Sequence, residues 1–421
     1  MRSQINLVRV LEAAKSLKFL VIGGGITGLF LSYYLLQDGH DVAVADVGKG
    51  KVRTSEFNAG QLSTRGSFTE VLAKGVVSPT VSRQNPEWLR RAKLQTRESY
   101  EEVAHPLSVR SLELYHKFFR EEKPEVDVQA EVLDLHSKLP ERAEQSPSGT
   151  FVGPKELREL GYKGFEGGWR VEELSVHSRK LLDYLRGRIE EKGGRFVPGE
   201  VKLKKKGSKV GYAALGRTRM AADAYVVAAG SWSNEVCKPL GYDPMILPAR
   251  GLVLFYGTRG DQVVDLPSHY QDEGVTVTQH DPGTLRFTGY FELDGFNPRF
   301  TAAKKDRLVR AVTSHFSRPH RLQPGGAGVG FRPSTPDQLP VVGRVPKCGN
   351  AYIISGACRK GMALAPILSQ LLVRTFADGG EEDPLLGALD PARFAARPPG
   401  ADRDRRRASL RRRQPDRLSA P

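Results

Sequence analysis

The stretch KFLVIGGGITG, beginning at Lys18, limits what this chain can fold into more than any other part of it. An apolar strand runs directly into Gly23-Gly24-Gly25-Ile26-Thr27-Gly28, which fits the spacing G-x-G-x-x-G. Each glycine has a separate physical task. Gly23 permits the tight turn, Gly25 lets backbone approach a pyrophosphate, and Gly28 lets helix and strand pack closely. The pattern predicts a helix over 26–38, stopped by Gly39, and a second strand in DVAVAD, 41–46. A strand–helix–strand opening of this kind builds a parallel sheet. Asp46, at the end of the second strand, is placed to meet ribose hydroxyls, while the helix N-terminus offers its N–H groups to phosphates.

Composition matters for what it excludes. The uncharged run from Phe19 to Leu36 is long enough to cross a bilayer, but three adjacent glycines argue for strand, turn and helix. Arg9, Glu12 and Lys15 interrupt any secretory signal, and residues 1–17 read as an extension ahead of the fold. The 3 cysteines, Cys237, Cys348 and Cys358, show no metal-binding spacing and no disulfide framework, which fits a reducing cytoplasm. Net charge is +16, and the tail 397–421 contributes nine arginines against three aspartates. So little apolar content predicts disorder there. A second basic cluster, KLKKKGSK (202–209), reads as a hairpin end. Neither cluster carries the interleaved aromatics of a specific nucleic-acid binder.

Strand-like blocks alternate with helical and β-rich insertions. Helical spacing covers 86–120 and 177–193, and period-two alternation dominates 246–330, including a hairpin turning at Asp281-Pro282-Gly283. The expected fold is α/β, with a discontinuous Rossmann-type nucleotide-binding lobe (18–85, 165–245 and 330–396) and an inserted β-rich substrate-binding lobe (86–164 and 246–329). Within the third block, GFRPSTPDQLPVVGR (330–344) sets Arg332 in an apolar, proline-bracketed stretch. A buried guanidinium needs an opposite charge. The near acid in sequence is Asp337, and the other candidate is a carboxylate brought by a substrate.

The glycine motif does not choose between FAD and NAD. VRTSEFNAGQLS (52–63) suits backbone closing on a flavin, and equally a plain turn. Four segments together carry a resemblance: TSEFNAGQLS, ADAYVVAAGSWS (222–233), GFRPSTPDQLPVVGR and SGACRKGMALAP (355–366). In this order they resemble the FAD-dependent D-amino-acid dehydrogenases, a family that also takes in glycine oxidase and sarcosine oxidase.

The resemblance implies FAD in the nucleotide lobe, with Ile26 and Thr27 at the pyrophosphate and Asp46 at the ribose. It implies Thr54, Ser55, Ala59, Gly60 and Gln61 along the flavin and the Val201 backbone at the adenine. Gly230 and Gly356 come over with their motifs. Ala357, Cys358, Lys360, Gly361, Met362 and Ala363 would close over the isoalloxazine ring. Arg332 would hold a substrate carboxylate, with Arg359 as a second contact; the alternatives are a pair with Asp337 and a surface position. The implied reaction is oxidation of the Cα–N bond of a D-amino acid or related amine. Hydride passes to the flavin, and the imino acid is hydrolysed to a 2-oxo acid and ammonia. No catalytic acid or base is assigned.

Departures from the family pattern count too. Gly330 stands where sarcosine oxidases carry their flavin-linking cysteine, so FAD is expected to be non-covalent. Thr276 stands where glycine oxidases carry a tyrosine, with Tyr270 and Tyr290 nearby, and Cys358 replaces a position often aromatic or histidine. The resemblance leaves open the electron acceptor (a quinone, another carrier or oxygen), a peripheral contact with the inner face of a membrane, and a role as one subunit of a multi-chain dehydrogenase.

Overall fold

The computed structural model describes residues 16–48, 54–65, 68–69, 76–140, 149–376 and 383–395. Most of the expected N-terminal extension and the whole basic tail, 397–421, lie outside the described residues.

Lys18–Ile22 is the inner strand of a six-stranded sheet. It pairs in parallel with Asp41–Asp46 on one side and Ala224–Val227 on the other. Arg195–Pro198 extends the sheet beyond Asp41–Asp46, and Ala351–Ser355 extends it beyond Ala224–Val227. Val341–Arg344 adds an antiparallel edge. Both faces are covered, which explains why the first strand is a nearly continuous apolar run. Phe19 and Val21 face a cluster with Leu31 and Leu35 of the helix Ile26–Gln37 and Leu364 and Leu368 of the closing helix Gly361–Arg374. Leu20 and Ile22 face Val201, Leu203, Val210 and Ala213 of a three-stranded antiparallel sheet. That small sheet contains the expected basic hairpin, with Lys206 opposite Lys209.

The second large unit is an eight-stranded sheet. Its chain segments include Val132–His136, Gly167–Val171, Leu247–Gly257, Val275–Asp281, Thr284–Leu293 and Gln323–Ser334. The hairpin turns at Asp281-Pro282-Gly283, as its turn chemistry requires. One face carries Leu252, Leu254, Val277 and Phe287, packed on Leu308 and Val312 of the helix Ala302–Thr313. The other carries Thr276 and Thr288 at alternate positions.

Two expected lobe boundaries shift. Gly167–Val171 pairs with Val132–His136 in the eight-stranded sheet, although residues from 165 on were expected with the nucleotide lobe. The long helix Arg97–Glu122, expected with the substrate lobe, packs on the closing helix instead. Ser111 Oγ donates to Ala363 O at 2.5 Å, and Tyr115 OH donates to Met362 O at 2.6 Å. Its apolar stripe of Tyr100, Ala104 and Leu107 joins the core beneath the six-stranded sheet. Helical periodicity shows that such a stripe must be buried, not which sheet will bury it.

Candidate active site

A cavity of ≈ 560 Å³ crosses the C-terminal ends of the parallel strands, where a doubly wound sheet places its ligands. It runs from Gly199, Glu200 and Val201 beside the edge strand, past Asp46 and Gly23–Thr27, to Ala228–Gly230 and Gly356. From there it continues under the eight-stranded sheet to Gly251, Thr288, Arg332, Cys358 and Arg359.

The glycine turn is sterically required. A Cβ on Gly23 would lie 2.4 Å from Ala228 O, and one on Gly28 would lie 2.0 Å from Gly23 O. Asp46 Oδ2 accepts from the Gly24 N–H at 2.6 Å and Oδ1 from the Gly48 N–H at 2.9 Å, which orients the carboxylate at the cavity wall. Ser55 Oγ accepts from the Ile26 N–H at 3.1 Å. Thr54 Oγ1 bonds both the N–H and the C=O of Phe331, each at 2.9 Å, and so pins its loop to the strand that carries Arg332.

Two long helices, Ile26–Gln37 and Gly361–Arg374, begin at this cavity; in neither does the N-cap residue's own side chain cap the helix, although Ser55 Oγ takes the Ile26 N–H of the first. Two positive dipole ends therefore open onto one elongated space, a cradle suited to pyrophosphate at one point and an electron-rich ring at another. With the glycine turn and the Asp46 carboxylate, this donor set fits FAD. Arg186, which sequence reasoning passed over, also lines the cavity; its guanidinium donates to Gly24 O at 2.9 Å.

Not every expected cofactor residue faces this space. Gly23, Gly25, Ile26, Thr27, Asp46, Thr54, Ser55, Val201, Gly230, Gly356, Ala357, Cys358, Gly361 and Met362 line it. Gly28, Ala59, Gly60, Gln61, Lys360 and Ala363 stand outside the lining. Gly60, at φ 74°, is pressed against Val176, and Gln61–Leu62 pairs with Leu174–Val176. Lys360 is 4% exposed and points away, donating to Ser63 O, Arg65 O and Ser108 Oγ. Burial pushes its amine down to about 8.

At the far end, Arg332 has no acid partner among the described residues. Asp337 is engaged by Arg393 at 2.9 Å and accepts from the Leu339 N–H, so that alternative is closed. The Arg332 guanidinium lies over Gly251 and near the Phe291 ring. One of its nitrogens donates to Tyr290 O at 3.0 Å. Tyr290 holds a left-handed backbone, φ 69°, in mid-strand. Burial first, and then the charge of Arg359, lower the Arg332 guanidinium to about 10. Arg359 lines the cavity from an exposed position. Between them in sequence, Cys358 keeps its thiol 3.6 Å from Ser334 Oγ, and burial pushes that thiol up.

Neither candidate tyrosine reaches the site. Tyr270 is buried in the apolar core on the opposite face of the sheet. The Tyr290 hydroxyl donates to Lys304 O. Thr276 instead hydrogen-bonds the His269 ring at 3.0 Å. Burial, followed by the charges of Arg359 and Arg65, pushes that imidazole down to about 4. Behind it lies a buried charge cluster with no signal in the sequence. Arg65 binds Glu173 at 2.8 Å and also pairs with Asp134. Its three members come from distant segments and read individually as surface residues.

Residues 18–375 match the family described as FAD dependent oxidoreductase, DAO. The chain is 26% identical to an uncharacterized oxidoreductase, YurR, of Bacillus subtilis, over 89% of this chain and 98% of the relative. It is 24% identical to a D-amino acid dehydrogenase of Vibrio cholerae, over 88% of this chain and 96% of the relative. The crystal structure of iminodiacetate oxidase from Chelativorans sp. BNC1 superposes with a TM-score of 0.70 at 17% identity, covering 87% of this chain and 97% of that one. The chain belongs to the DAO family of FAD-dependent oxidoreductases.

Proposed function

We propose that this chain oxidises the Cα–N bond of an amino acid or closely related amine whose carboxylate is held by Arg332. The observation that carries the reading is a guanidinium with no acid partner among the described residues, at the inner end of the FAD cavity beside the N-terminus of Gly361–Arg374. A guanidinium fork takes a carboxylate through two parallel charge-assisted bonds, fixing position and orientation together. Gly251 leaves the space that the fork occupies, and the Tyr290 carbonyl fixes its rotation. Bound in the cavity, FAD supplies the hydride acceptor. The protein supplies position, an environment closed by the eight-stranded sheet, and a positive field that favours the anionic end of the substrate. Relatives named D-amino acid dehydrogenase and D-proline dehydrogenase support a D-configured or cyclic amino acid.

We also read the flavin as non-covalently held. Gly330 supplies no side chain that could link a flavin, and a Cβ there would already be crowded, 3.2 Å from Phe57 O and 3.3 Å from Thr54 Cγ2.

The test is anaerobic bleaching of the FAD-loaded chain by amino acids of both hands, D-proline, glycine and 2-hydroxy acids. Bleaching by amines, lost in Arg332→Met while the flavin is retained, is the expected result. Bleaching by hydroxy acids alone, or an unchanged response in the variant, overturns the reading.

A further inference from the structure

The substrate end of the cavity carries two guanidiniums where one carboxylate needs a single fork. Of the acids that line the cavity, Asp46, Glu56, Glu200 and Glu235, none belongs to this end. Asp46 holds the glycine turn, Glu56 pairs with Arg179, and Glu200 and Glu235 sit beside the small basic sheet and the short helix Ser233–Cys237. Behind the cavity, Asp134 and Glu173 are both taken by Arg65. Lys360 spends its donors on two carbonyls and a hydroxyl, with Glu173 and Glu101 as its acidic neighbours. Arg332 and Arg359 therefore face one space without an ion-pair partner among the described residues.

They sit at different depths. Arg332 is enclosed except towards the cavity, whereas Arg359 is exposed at its margin. The eight-stranded sheet carries a polar row that reaches this space at one end. Thr288, Thr276 and His269 are register neighbours on three adjacent strands and so share one face. Thr288 lines the cavity at one end of this row. His269, at the other end, feels the charge of Arg359, which also acts on Arg332. An apolar substrate side chain lying here would leave the Arg359 guanidinium facing it without a counter-charge. An anionic one would satisfy Arg359 with charge-assisted bonds.

We propose that the substrate is an amino acid carrying two carboxylates, the α-carboxylate on Arg332 and the second acidic group on Arg359. This rests on the amine-oxidoreductase reading given above and adds the class of side chain or N-substituent. Thr288, which lines the cavity, is then the hydroxyl of this row open to the substrate, while Thr276 and His269, outside the lining, bond each other.

Matched pairs that differ by one charge test it without altering the protein: D-aspartate against D-asparagine, D-glutamate against D-glutamine, and iminodiacetate against N-methylglycine. Initial rates of anaerobic flavin bleaching are read for each at low and high salt. The expected result is that in at least one pair the dicarboxylate is preferred at least about tenfold in kcat/KM. That preference shrinks as salt screens the exposed Arg359, and it falls towards unity in Arg359→Met. Equilibrium binding of succinate and its monoamide, followed by the flavin absorbance, gives a readout independent of turnover. The dianion should bind at least about tenfold tighter in the wild type. Amides that react and bind as well as acids overturn the dicarboxylate assignment and leave the amine reading standing. A preference that survives in Arg359→Met overturns the role of Arg359. If no amine of any kind bleaches the flavin, it is the underlying reading that fails.

Discussion

The guanidinium of Arg332 lies directly over Gly251: a Cβ built on that glycine would stand 2.2 Å from one guanidinium nitrogen and 2.6 Å from its carbon. The two residues sit on paired strands, with Gly251 opposite Gly330 and Ala249 opposite Arg332. The glycine is part of the proposed anion site although it contributes no polar side-chain atom. Adding one methyl group must push the fork out of position.

Gly251→Ala should therefore lower kcat/KM by roughly 100-fold, the scale expected of an ångström-sized misplacement of a positioning group. Flavin content should stay unchanged, because the glycine turn and both helix N-termini are untouched. Flavin absorbance per protein, read beside steady-state rates, checks both halves. Full activity in the variant would show that the fork is not held where the substrate needs it.

The pair between Asp337 and Arg393 is predicted to serve stability alone. Arg393 donates to Asp337 and also to the carbonyls of Leu389, Leu339 and Pro340, tying the described C-terminal segment to the loop after the Arg332 strand. Asp337→Asn should lower unfolding free energy by about 1–3 kcal/mol. Thermal unfolding should show the loss, while relative rates across substrates remain as in the parent chain.

His269 gives a pH prediction with a definite sign. Its imidazole, ordinarily near 6.5, is pushed down to about 4, first by burial and then by Arg359 and Arg65. The unfolded chain therefore binds a proton between these two values that the folded chain refuses. Stability falls as pH drops from 6.5 towards 4, by up to about 3 kcal/mol from this group, and is unaffected by it above 6.5. His280, pushed down to about 3 by burial and by Arg286, acts in the same direction. His269→Asn should flatten the acid limb of stability against pH without abolishing it. Denaturant unfolding at several pH values measures the slope.

Acid denaturation followed by centrifugation should leave all the yellow colour in solution and a colourless pellet. Colour retained on the chain would point to a covalent bond from a residue other than the one at Gly330.

The amino-acid sequence alone determined the nucleotide half of the site. Strand, glycine turn and helix are contiguous, and a Cβ at Gly28 would strike Gly23 O within the same turn, although the bar to a side chain at Gly23 comes from Ala228, just past the end of a neighbouring strand. It also raised the question of which anion Arg332 meets, because an arginine among prolines and apolar residues is costly to leave unpaired. Tertiary structure removed one candidate. Arg393, some fifty residues further on, occupies Asp337 and leaves Arg332 facing the cavity. Long-range packing also set the residues around that end: Gly251 beneath the fork, Thr276 with His269 in place of a tyrosine, and Arg65 holding Asp134 and Glu173. Apart from Thr276 and His269, seven residues apart on neighbouring strands, none of these is near its partner in sequence. Strand register and helix docking bring them together, and both depend on the burial of whole faces rather than on any local pattern.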